Sequence, residues 1–187
     1  MEVLTQHEFS YRKKEILKKI EDGTIFIHPT DTIYGISCNA TDEKVVQKLR
    51  EIKKRFNKPL SIWAPSVEWI KENIKEKQKD HPQIDELPGP FTMIIPLKNT
   101  DCIAKNVSFS DTLGVRIPNH WFSQYVEELG FPIITTSANK VGEAFMTSLE
   151  DLDKEVEKHV EFIIYEGEKT GKPSKIIDLE KEEVLER

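Results

Sequence analysis

The amino-acid sequence predicts an α/β fold in which a twisted sheet of mixed parallel and antiparallel strands is flanked by helices. Short apolar runs typical of strands alternate with longer segments whose apolar residues recur at the spacing of one helix face. The alternation does not follow a strict strand–helix–strand order, which favours a mixed sheet over a wholly parallel one. The chain has 187 residues, enough for one sizeable core, so we expect residues 1–187 to form a single domain.

Several segments show the apolar periodicity of helices with one buried face. The first is followed by Asp22 and Gly23, which are typical of a helix end, and Thr41-Asp42 is suited to cap the second. The predicted helices are Phe9–Ile20, a helix that follows Asp42, a helix from Ser66 to Ile74, His120–Leu129 and Ser148–His159.

Apolar runs of strand length lie between these helices. The run that begins at Phe91 follows the turn signal Pro88-Gly89-Pro90, whereas the charged stretch from Lys75 to Glu86 has no clear periodicity. The predicted strands are Thr24–His28, Ile36–Asn39, Pro59–Ala64, Phe91–Leu97, Thr112–Ile117, Phe131–Thr135, Glu161–Tyr165 and Lys175–Leu179.

Composition and charge indicate a soluble, cytoplasmic protein without membrane contact. The 27 Lys and Arg residues and 33 Asp and Glu residues give a net charge of −6, which argues against a general nucleic-acid binder. Cys38 and Cys102 form no C-x-x-C motif, as is typical of a reduced protein. The N-terminus lacks a signal-peptide pattern, and no apolar run approaches the roughly 18 residues of a membrane span.

A polar cluster at Pro29–Gly35 directly follows the apolar run Ile25–Ile27. Buried hydroxyls and carboxylates are unfavourable unless each finds a partner, so this run is poor core material. It is more simply a strand end that brings polar groups to a site. Asp31 would alternate away from Thr30 and Thr32 if the strand continued, so we leave it outside the predicted site.

A second polar cluster, Thr135–Asn139, follows the apolar run Phe131–Ile134 in the same way. Alone, it is best interpreted as an ordinary turn. Next to Pro29–Gly35, it favours a nucleotide or metal site at the ends of neighbouring strands.

Three cations could bind an anionic ligand. Lys53 and Arg55 follow a predicted helix and precede a strand, where they either stabilise the helix end or clamp phosphate oxygens. Arg116 lies within an apolar strand, so it either pairs with an acidic residue or receives a ligand such as a carboxylate.

Other patterns are rejected or have structural interpretations. Gly171–Ser174 superficially resembles a phosphate-binding loop, but Glu166 occupies the position of the required first glycine and Pro173 replaces the required hydroxyl residue. A flexible flap rich in glycine and lysine is the alternative that stays open for this stretch. The five histidines show no metal-ligand spacing, and His28 is expected to be structural.

Six motifs, in order, resemble the YrdC-like domain family, the threonylcarbamoyl-AMP synthases. Each motif alone is weak, and their order from roughly Glu8 to Asp178 carries the resemblance. Phe56 stands where many members have proline, and Lys175 replaces the usual threonine. The matches are P-T-[DE]-T-x-Y-G at Pro29–Gly35, K-x-R before a P-L strand at Lys53, Arg55, Pro59 and Leu60, P-G-P-x-T at Pro88–Thr92, V-R-x-P at Val115–Pro118, [TP]-S-A-N at Thr136–Asn139, and part of S-T-I-[IV]-D at Ser174 and Ile176–Asp178.

The resemblance implies a short, single-domain family member whose motif-bearing core covers about residues 8–178. It implies a reaction of L-threonine, bicarbonate or CO2, and ATP that yields threonylcarbamoyl-AMP and pyrophosphate. The product supplies the threonylcarbamoyl group of threonylcarbamoyladenosine in tRNA. ATP would be a substrate, with Mg²⁺ and without a tightly bound organic cofactor. Further expected partners are tRNA or a downstream threonylcarbamoyl-transferase complex.

The resemblance also implies roles for individual residues. The expected catalytic residues are Lys53, Arg55 and Arg116. The residues expected to bind L-threonine are Thr30, Thr32, Tyr34, Arg116 and Thr136. The residues expected to bind the nucleotide are Lys53, Arg55, Ser137, Asn139 and Ser174. Mg²⁺ is expected near Ser137 and Asn139, without a defined set of protein ligands.

Two other functions stay open. An RNA-binding module acting in translation would use the basic stretch Lys53–Lys58, which includes Phe56. A paralogous carbamoyl-transfer enzyme, similar to the carbamoyltransferase domain of HypF-type maturation proteins, would keep the site but use another group. Such a domain normally lies within a much longer chain.

Overall fold

A computed structural model describes residues 1–140 and 142–185 of the chain. Its α/β class, with mixed sheets flanked by helices, confirms the predicted fold class. The described strands form two sheets, however, whereas one sheet was predicted. In spatial order, the five-stranded sheet contains β1 (Glu2–Leu4), β9 (Phe162–Ile164), β2 (Phe26–His28), β3 (Gly35–Ser37) and β8 (Thr136–Ser137). The six-stranded sheet contains β11 (Glu183–Leu185), β10 (Lys175–Asp178), β5 (Phe91–Pro96), β6 (Thr112–Arg116), β4 (Ser61–Trp63) and β7 (Ile133–Ile134).

Both sheets combine parallel and antiparallel pairs. In the five-stranded sheet, β9 is parallel to β1 and β2, whereas β3 is antiparallel to β2 and β8. In the six-stranded sheet, β10 is parallel to β5 and β4 is parallel to β6. The pairs β5–β6, β4–β7 and β10–β11 are antiparallel.

The helices of the described residues agree with the predicted helices in most places. Two predicted helices differ from the structure, and a further short helix lies within the charged stretch Lys75–Glu86, where none was predicted. They are α1 (Gln6–Tyr11), α2 (Lys13–Glu21), α3 (Glu43–Lys53), α4 (Val67–Asn73), α5 (Pro82–Asp85), α6 (Ser123–Leu129) and α7 (Lys154–Glu157). Short 3₁₀ turns cover Glu76–Gln78, Thr100–Cys102 and Leu149–Asp151. Among these helices, none combines the length and the apolar character needed to cross a membrane.

The two differences have local causes. The predicted helix Phe9–Ile20 begins earlier because Thr5 and Glu8 form a capping box, and it is interrupted at Arg12. The predicted helix Ser148–His159 is wrong over most of its length. Leu152 is extended, and Asp153 accepts hydrogen bonds that begin a new, four-residue helix.

The segment around Thr135 passes from one sheet to the other. The predicted strand Phe131–Thr135 is instead two short strands, because β7 pairs with β4 in the six-stranded sheet and β8 pairs with β3 in the five-stranded sheet. Between them, the Thr135 amide donates to the Ser61 carbonyl at 2.8 Å. The Ile134 amide donates to the Cys38 carbonyl, also at 2.8 Å. The segment therefore joins the sheets at the place where the polar clusters meet.

His28 lies in an aromatic part of the core, in the structural role expected for it. Its ring is fully buried and stacks on Phe122 with a centroid distance of 5.7 Å. It contacts the Ser37 hydroxyl and the Pro29 carbonyl through its two ring nitrogens, at 2.7 and 3.0 Å. Burial lowers the pKa of His28 to about 3.

Candidate functional site

A polar cavity lies where the two sheets meet. Its empty volume, including the space that is open to solvent, is about 420 Å³. Seven residues that the sequence analysis assigned to the site line it together: Thr30, Thr32, Tyr34, Arg116, Thr136, Ser137 and Ser174. The other lining residues are Ile33, Gly35, Ser61, Thr92, Thr135, Phe145 and Pro173. Clusters that are far apart in sequence therefore meet in one place.

A second cavity adjoins the first and contains Arg55. Its empty volume is about 560 Å³, and apart from Arg55 its walls are mostly apolar or small residues. Ser61 and Thr92 line both cavities, so they form a shared wall. The Arg55 guanidinium donates to the Pro59 carbonyl at 2.7 Å and to the Thr136 hydroxyl at 3.5 Å.

Thr30 organises the loop after β2. Its hydroxyl donates to the Ile33 carbonyl at 2.7 Å and accepts from the backbone amides of Thr32 and Ile33 at 3.1 and 3.2 Å. A hydroxyl has one hydrogen and two lone pairs, so the loop itself uses this capacity. Thr30 thus shapes the cavity wall, and the neighbouring Thr32 hydroxyl is better suited to contact a ligand.

Tyr34 is buried and ties the loop to a distant segment. Its hydroxyl donates to the Gly167 carbonyl at 2.6 Å and accepts from the Glu166 amide at 3.1 Å. The ring stacks on Tyr165 with a centroid distance of 5.6 Å. Burial raises the pKa of Tyr34 to about 12, so the phenol stays protonated and acts as a donor.

Arg116 pairs with Asp31, the residue that the sequence analysis left outside the site. An Arg116 Nη2 hydrogen bond reaches Asp31 Oδ1 at 2.5 Å, and both side chains are almost buried. Asp31 Oδ2 also accepts from the Asn119 amide at 3.0 Å. The prediction that Asp31 points away from the site was wrong. It assumed that the strand continues, but β2 ends at His28, so side chains do not alternate between two faces at Asp31. An acidic partner for Arg116 was one of its two predicted alternatives.

Lys53 lies outside both cavity linings. Its side chain is 1% exposed, and its ammonium group donates to the carbonyls of Ser137 and Asn139, at 2.6 Å for Asn139. These bonds hold the turn after β8 against the end of α3. Burial, with a smaller contribution from the charge of Arg55, lowers the pKa of Lys53 to about 7.

Arg50 is a residue whose role the sequence analysis missed. It is 1% exposed, and its guanidinium donates to the carbonyls of Arg55 and Lys58 at 2.7 and 2.9 Å. It also donates to the carbonyl of Asn106 at 2.6 Å. Arg50 therefore sets the path of the loop that carries Arg55. The helical spacing of Arg50 from the buried Val46 could have shown that it faces inward.

Thr92 and Ser174 join the far side of the cavity. Their hydroxyls lie 2.9 Å apart and both are buried. The sequence analysis gave Thr92 no role in the site. Its place in the P-G-P-x-T motif was the signal that could have identified it. Thr135 belongs to the polar cluster Thr135–Asn139, which was its signal. Ser61 had no comparable signal, because it reaches the cavity only through the pairing of β4 with its neighbours.

The expected magnesium site can be tested against the donors that are present. Among the described residues, no group of three or more His, Cys, Asp or Glu side chains could hold a metal ion. Asn139 is 8% exposed and uses its amide nitrogen on the Glu143 carbonyl at 2.7 Å. Ser137 lines the cavity. These donors fit an ion bound mainly by phosphate oxygens, as Mg²⁺ often is.

Comparisons with known proteins identify similar sequences. The family model named for Sua5, YciO and YrdC, which is described as "Telomere recombination", matches residues 18–187. A Methanocaldococcus jannaschii protein with a provisional threonylcarbamoyl-AMP synthase name is 42% identical over 183 residues, covering 93% of this chain and 84% of the relative. The Vibrio campbellii threonylcarbamoyl-AMP synthase is 30% identical over 181 residues, covering 92% of this chain and 96% of the relative.

A solved structure has the same fold. The Pyrococcus abyssi Sua5 chain complexed with L-threonine superposes with a TM-score of 0.85 at 28% sequence identity. The match covers 98% of this chain and 55% of the Sua5 chain, so this chain spans about half the length of that protein.

The Asp31–Arg116 pair should contribute strongly to stability. Replacing Asp31→Ala removes the carboxylate from a nearly buried guanidinium and should lower the free energy of unfolding by about 3 kcal/mol. Asp85→Ala, which breaks the exposed Lys71–Asp85 pair, is the matched control and should change it much less. Urea unfolding of both variants checks this, and equal effects would contradict it.

Lys53 should make stability depend on pH in the alkaline range. Its folded pKa of about 7 lies below the unfolded value of 10.5, so unfolding takes up a proton between these pH values. Relative to Lys53→Met, the wild-type free energy of unfolding should rise with pH in this window, by up to about 1.4 kcal/mol per unit. Urea unfolding at pH 7, 8, 9 and 10 measures the difference. Parallel pH profiles would show that Lys53 has an ordinary pKa.

Proposed function

This chain belongs to the Sua5/YciO/YrdC family, and from that premise we propose that it is a threonylcarbamoyl-AMP synthase. The proposed reaction joins L-threonine, bicarbonate or CO2, and ATP, and it releases pyrophosphate. One observation carries the proposal: Arg116 and Arg55 line two adjoining cavities that share the wall formed by Ser61 and Thr92. Such a pair of cavities suits two anionic substrates that must react with each other.

Threonine would occupy the cavity of Arg116. The guanidinium would attract the amino-acid carboxylate, while Asp31 keeps it in the correct orientation. The Thr32 and Thr136 hydroxyls would bind the polar groups of the substrate. Thr30 and Tyr34 would act by shaping the wall, because their hydroxyls are used by the protein backbone. P. abyssi Sua5, whose structure contains L-threonine, supports a small amino acid as the ligand.

ATP would approach the shared wall from the cavity of Arg55. The threonine amine adds to CO2 and releases a proton, or condenses with bicarbonate and releases water, and in either case a carbamate forms. An oxygen of this carbamate attacks the α-phosphorus. The bond to the bridging oxygen breaks, and pyrophosphate leaves with the electron pair. No protein nucleophile is needed, so the protein contributes orientation and the neutralisation of phosphate charge. An enzyme that catalyses this reaction would be a nucleotidyltransferase.

Arg55, Ser137 and Ser174 are the residues that we propose for contact with the nucleotide. Ser137 would also contact a Mg²⁺ ion carried by the phosphates, and the ion would neutralise their charge. Lys53 would act mainly by holding the 137–139 turn, since its ammonium hydrogens are donated to carbonyls of that turn. Asn139 would likewise act from within the turn.

We further propose that one domain, with its motif-bearing part over about residues 8–178, carries this activity. The product would be passed to an enzyme that modifies tRNA, because its mixed anhydride is an activated form of the threonylcarbamoyl group. A cytoplasmic location remains a prediction.

Pyrophosphate release tests the proposed reaction. The protein is incubated with ATP, Mg²⁺, bicarbonate and single amino acids. Release should require both threonine and bicarbonate, and the nucleotide product should be threonylcarbamoyl-AMP by mass spectrometry. Pyrophosphate release when threonine or bicarbonate is omitted would overturn the proposal. Release when carbamoyl phosphate replaces both would also overturn it and would favour a different transfer reaction.

Arg55→Ala should abolish the formation of threonylcarbamoyl-AMP and pyrophosphate while the fold stays intact. The expected loss is at least about 100-fold in kcat/KM, because a cation that neutralises phosphate charge is removed. Lys48→Ala, which removes an exposed cation from α3, the helix that precedes the Arg55 loop, is the charge-matched control and should keep wild-type turnover. Circular dichroism verifies folding. Wild-type-like turnover of Arg55→Ala would remove it from the site.

RNA binding is a second candidate because an exposed aromatic and basic surface adjoins the Arg55 loop. Phe56 and Phe109 are 54% and 61% exposed, and the Arg50 guanidinium carbon lies 4.7 Å from the Phe109 ring centroid. If this surface binds RNA, Lys54→Ala combined with Lys58→Ala should weaken tRNA binding and reduce its salt dependence. Fluorescence anisotropy with labelled tRNA measures this. Unchanged binding would exclude the surface.

A further inference from the structure

The segment that connects β9 to β10 crosses the substrate cavity. It runs over residues 165–174 and leads from the five-stranded sheet to the six-stranded sheet. At Gly171 it passes so close to Thr32 that an added Cβ would overlap the Thr32 carbonyl oxygen. Pro173 and Ser174 then form part of the cavity wall. The shape of the cavity therefore depends on what holds this crossing segment in place.

The Glu166 carboxylate anchors the crossing segment at its start. Oε1 accepts from His120 Nε2 at 3.0 Å and from the Lys169 ammonium group, and Oε2 accepts from Trp121 Nε1 at 2.8 Å. The Phe122 amide donates to His120 Nδ1 at 3.2 Å, so Nε2 carries the hydrogen that is donated to Glu166. One carboxylate thus joins the crossing segment to the loop that follows Arg116.

Backbone contacts extend this anchor. The Glu166 amide and the Gly167 carbonyl both bond to the Tyr34 hydroxyl, at 3.1 and 2.6 Å. The Lys169 amide donates to the Thr147 carbonyl at 2.9 Å. The segment is therefore attached to the loop after Arg116, to Tyr34 in the cavity wall and to Thr147 before it reaches Gly171.

The chemistry at this position requires a carboxylate. Three donors converge on two oxygens, and one donor is cationic, which suits an ionised acceptor. Burial alone would raise the pKa of Glu166, but the hydrogen bonds from Lys169, Trp121 and His120 lower it overall. Glu166 does not line the cavity, so it would act on the substrate through other residues.

We propose that Glu166 is a positioning residue that holds the crossing segment over the substrate cavity, so that Pro173 and Ser174 complete the wall of the cavity that contains Arg116. Its effect on kinetics rests on the proposed function. Its effect on the segment does not, because the anchoring contacts are made within the protein itself. The two parts can therefore be tested separately.

Glu166→Gln is the first test. An amide group can accept at only one of its two ends, so either His120 or Trp121 loses its acceptor, and the charge opposite Lys169 is lost. Hydrogen–deuterium exchange without substrates should be faster over residues 166–171 than in wild type. In the pyrophosphate assay, the KM for threonine should rise about tenfold, the effect of one lost charge-assisted hydrogen bond, with a smaller change in kcat.

Two further variants complete the test. Glu168→Gln removes the same charge two residues away at an exposed position and should match wild type in both measurements. Gly171→Ala leaves Glu166 unchanged but pushes the segment away from Thr32, so it should raise the threonine KM in the same way as Glu166→Gln.

The outcomes distinguish the two proposals. Wild-type exchange and wild-type threonine KM in Glu166→Gln would overturn the positioning role. Equal increases in Glu166→Gln and Glu168→Gln would also overturn it, because a general charge effect would explain them. If wild-type protein shows no threonine-dependent pyrophosphate release, the proposed function fails, and the exchange data alone decide whether Glu166 holds the segment.

Discussion

The ion pair between Asp31 and Arg116 is the interaction on which the site depends most. Asp31 follows β2 of the five-stranded sheet, and Arg116 ends β6 of the six-stranded sheet. Their contact at 2.5 Å, in a nearly buried position, fixes the distance between the two sheets at the cavity. A buried guanidinium requires an anionic partner. A substrate carboxylate that binds nearby would share the Arg116 guanidinium with Asp31. The same pair thus supports both the fold and the proposed binding of an amino acid.

The other cations of the region act largely on the backbone. Arg50 donates to the carbonyls of the loop that carries Arg55, and Lys53 donates to those of the 137–139 turn. Polar groups of a loop near a cavity cannot all be solvated, and each needs a partner. Buried cations with several donors satisfy these carbonyls and make the loops rigid. This leaves Arg55 and Arg116 as the guanidinium groups that line the cavities.

Two of the chain segments that pass between the sheets border the cavity. The first is Ile133–Ser137, which changes sheets at Thr135. The second is the crossing segment anchored by Glu166. Two bound substrates react only when their reacting atoms are held close together in the correct orientation. Rigid elements achieve this more precisely than flexible loops. Here the walls are strands and segments held at both ends, so the cavity is shaped before any substrate arrives.

The sequence by itself determined the fold class, most strand positions and the polar clusters that meet at the cavity. These follow from apolar periodicity and from the high cost of burying polar residues, and both are local properties. Only the tertiary structure decided that the strands form two sheets, that Asp31 faces Arg116, that Lys53 holds a turn, and that Glu166 anchors the crossing segment. Each of these contacts joins residues from different parts of the chain. The role of a polar side chain depends on the groups within hydrogen-bond distance, and strand pairing between remote segments determines which groups those are.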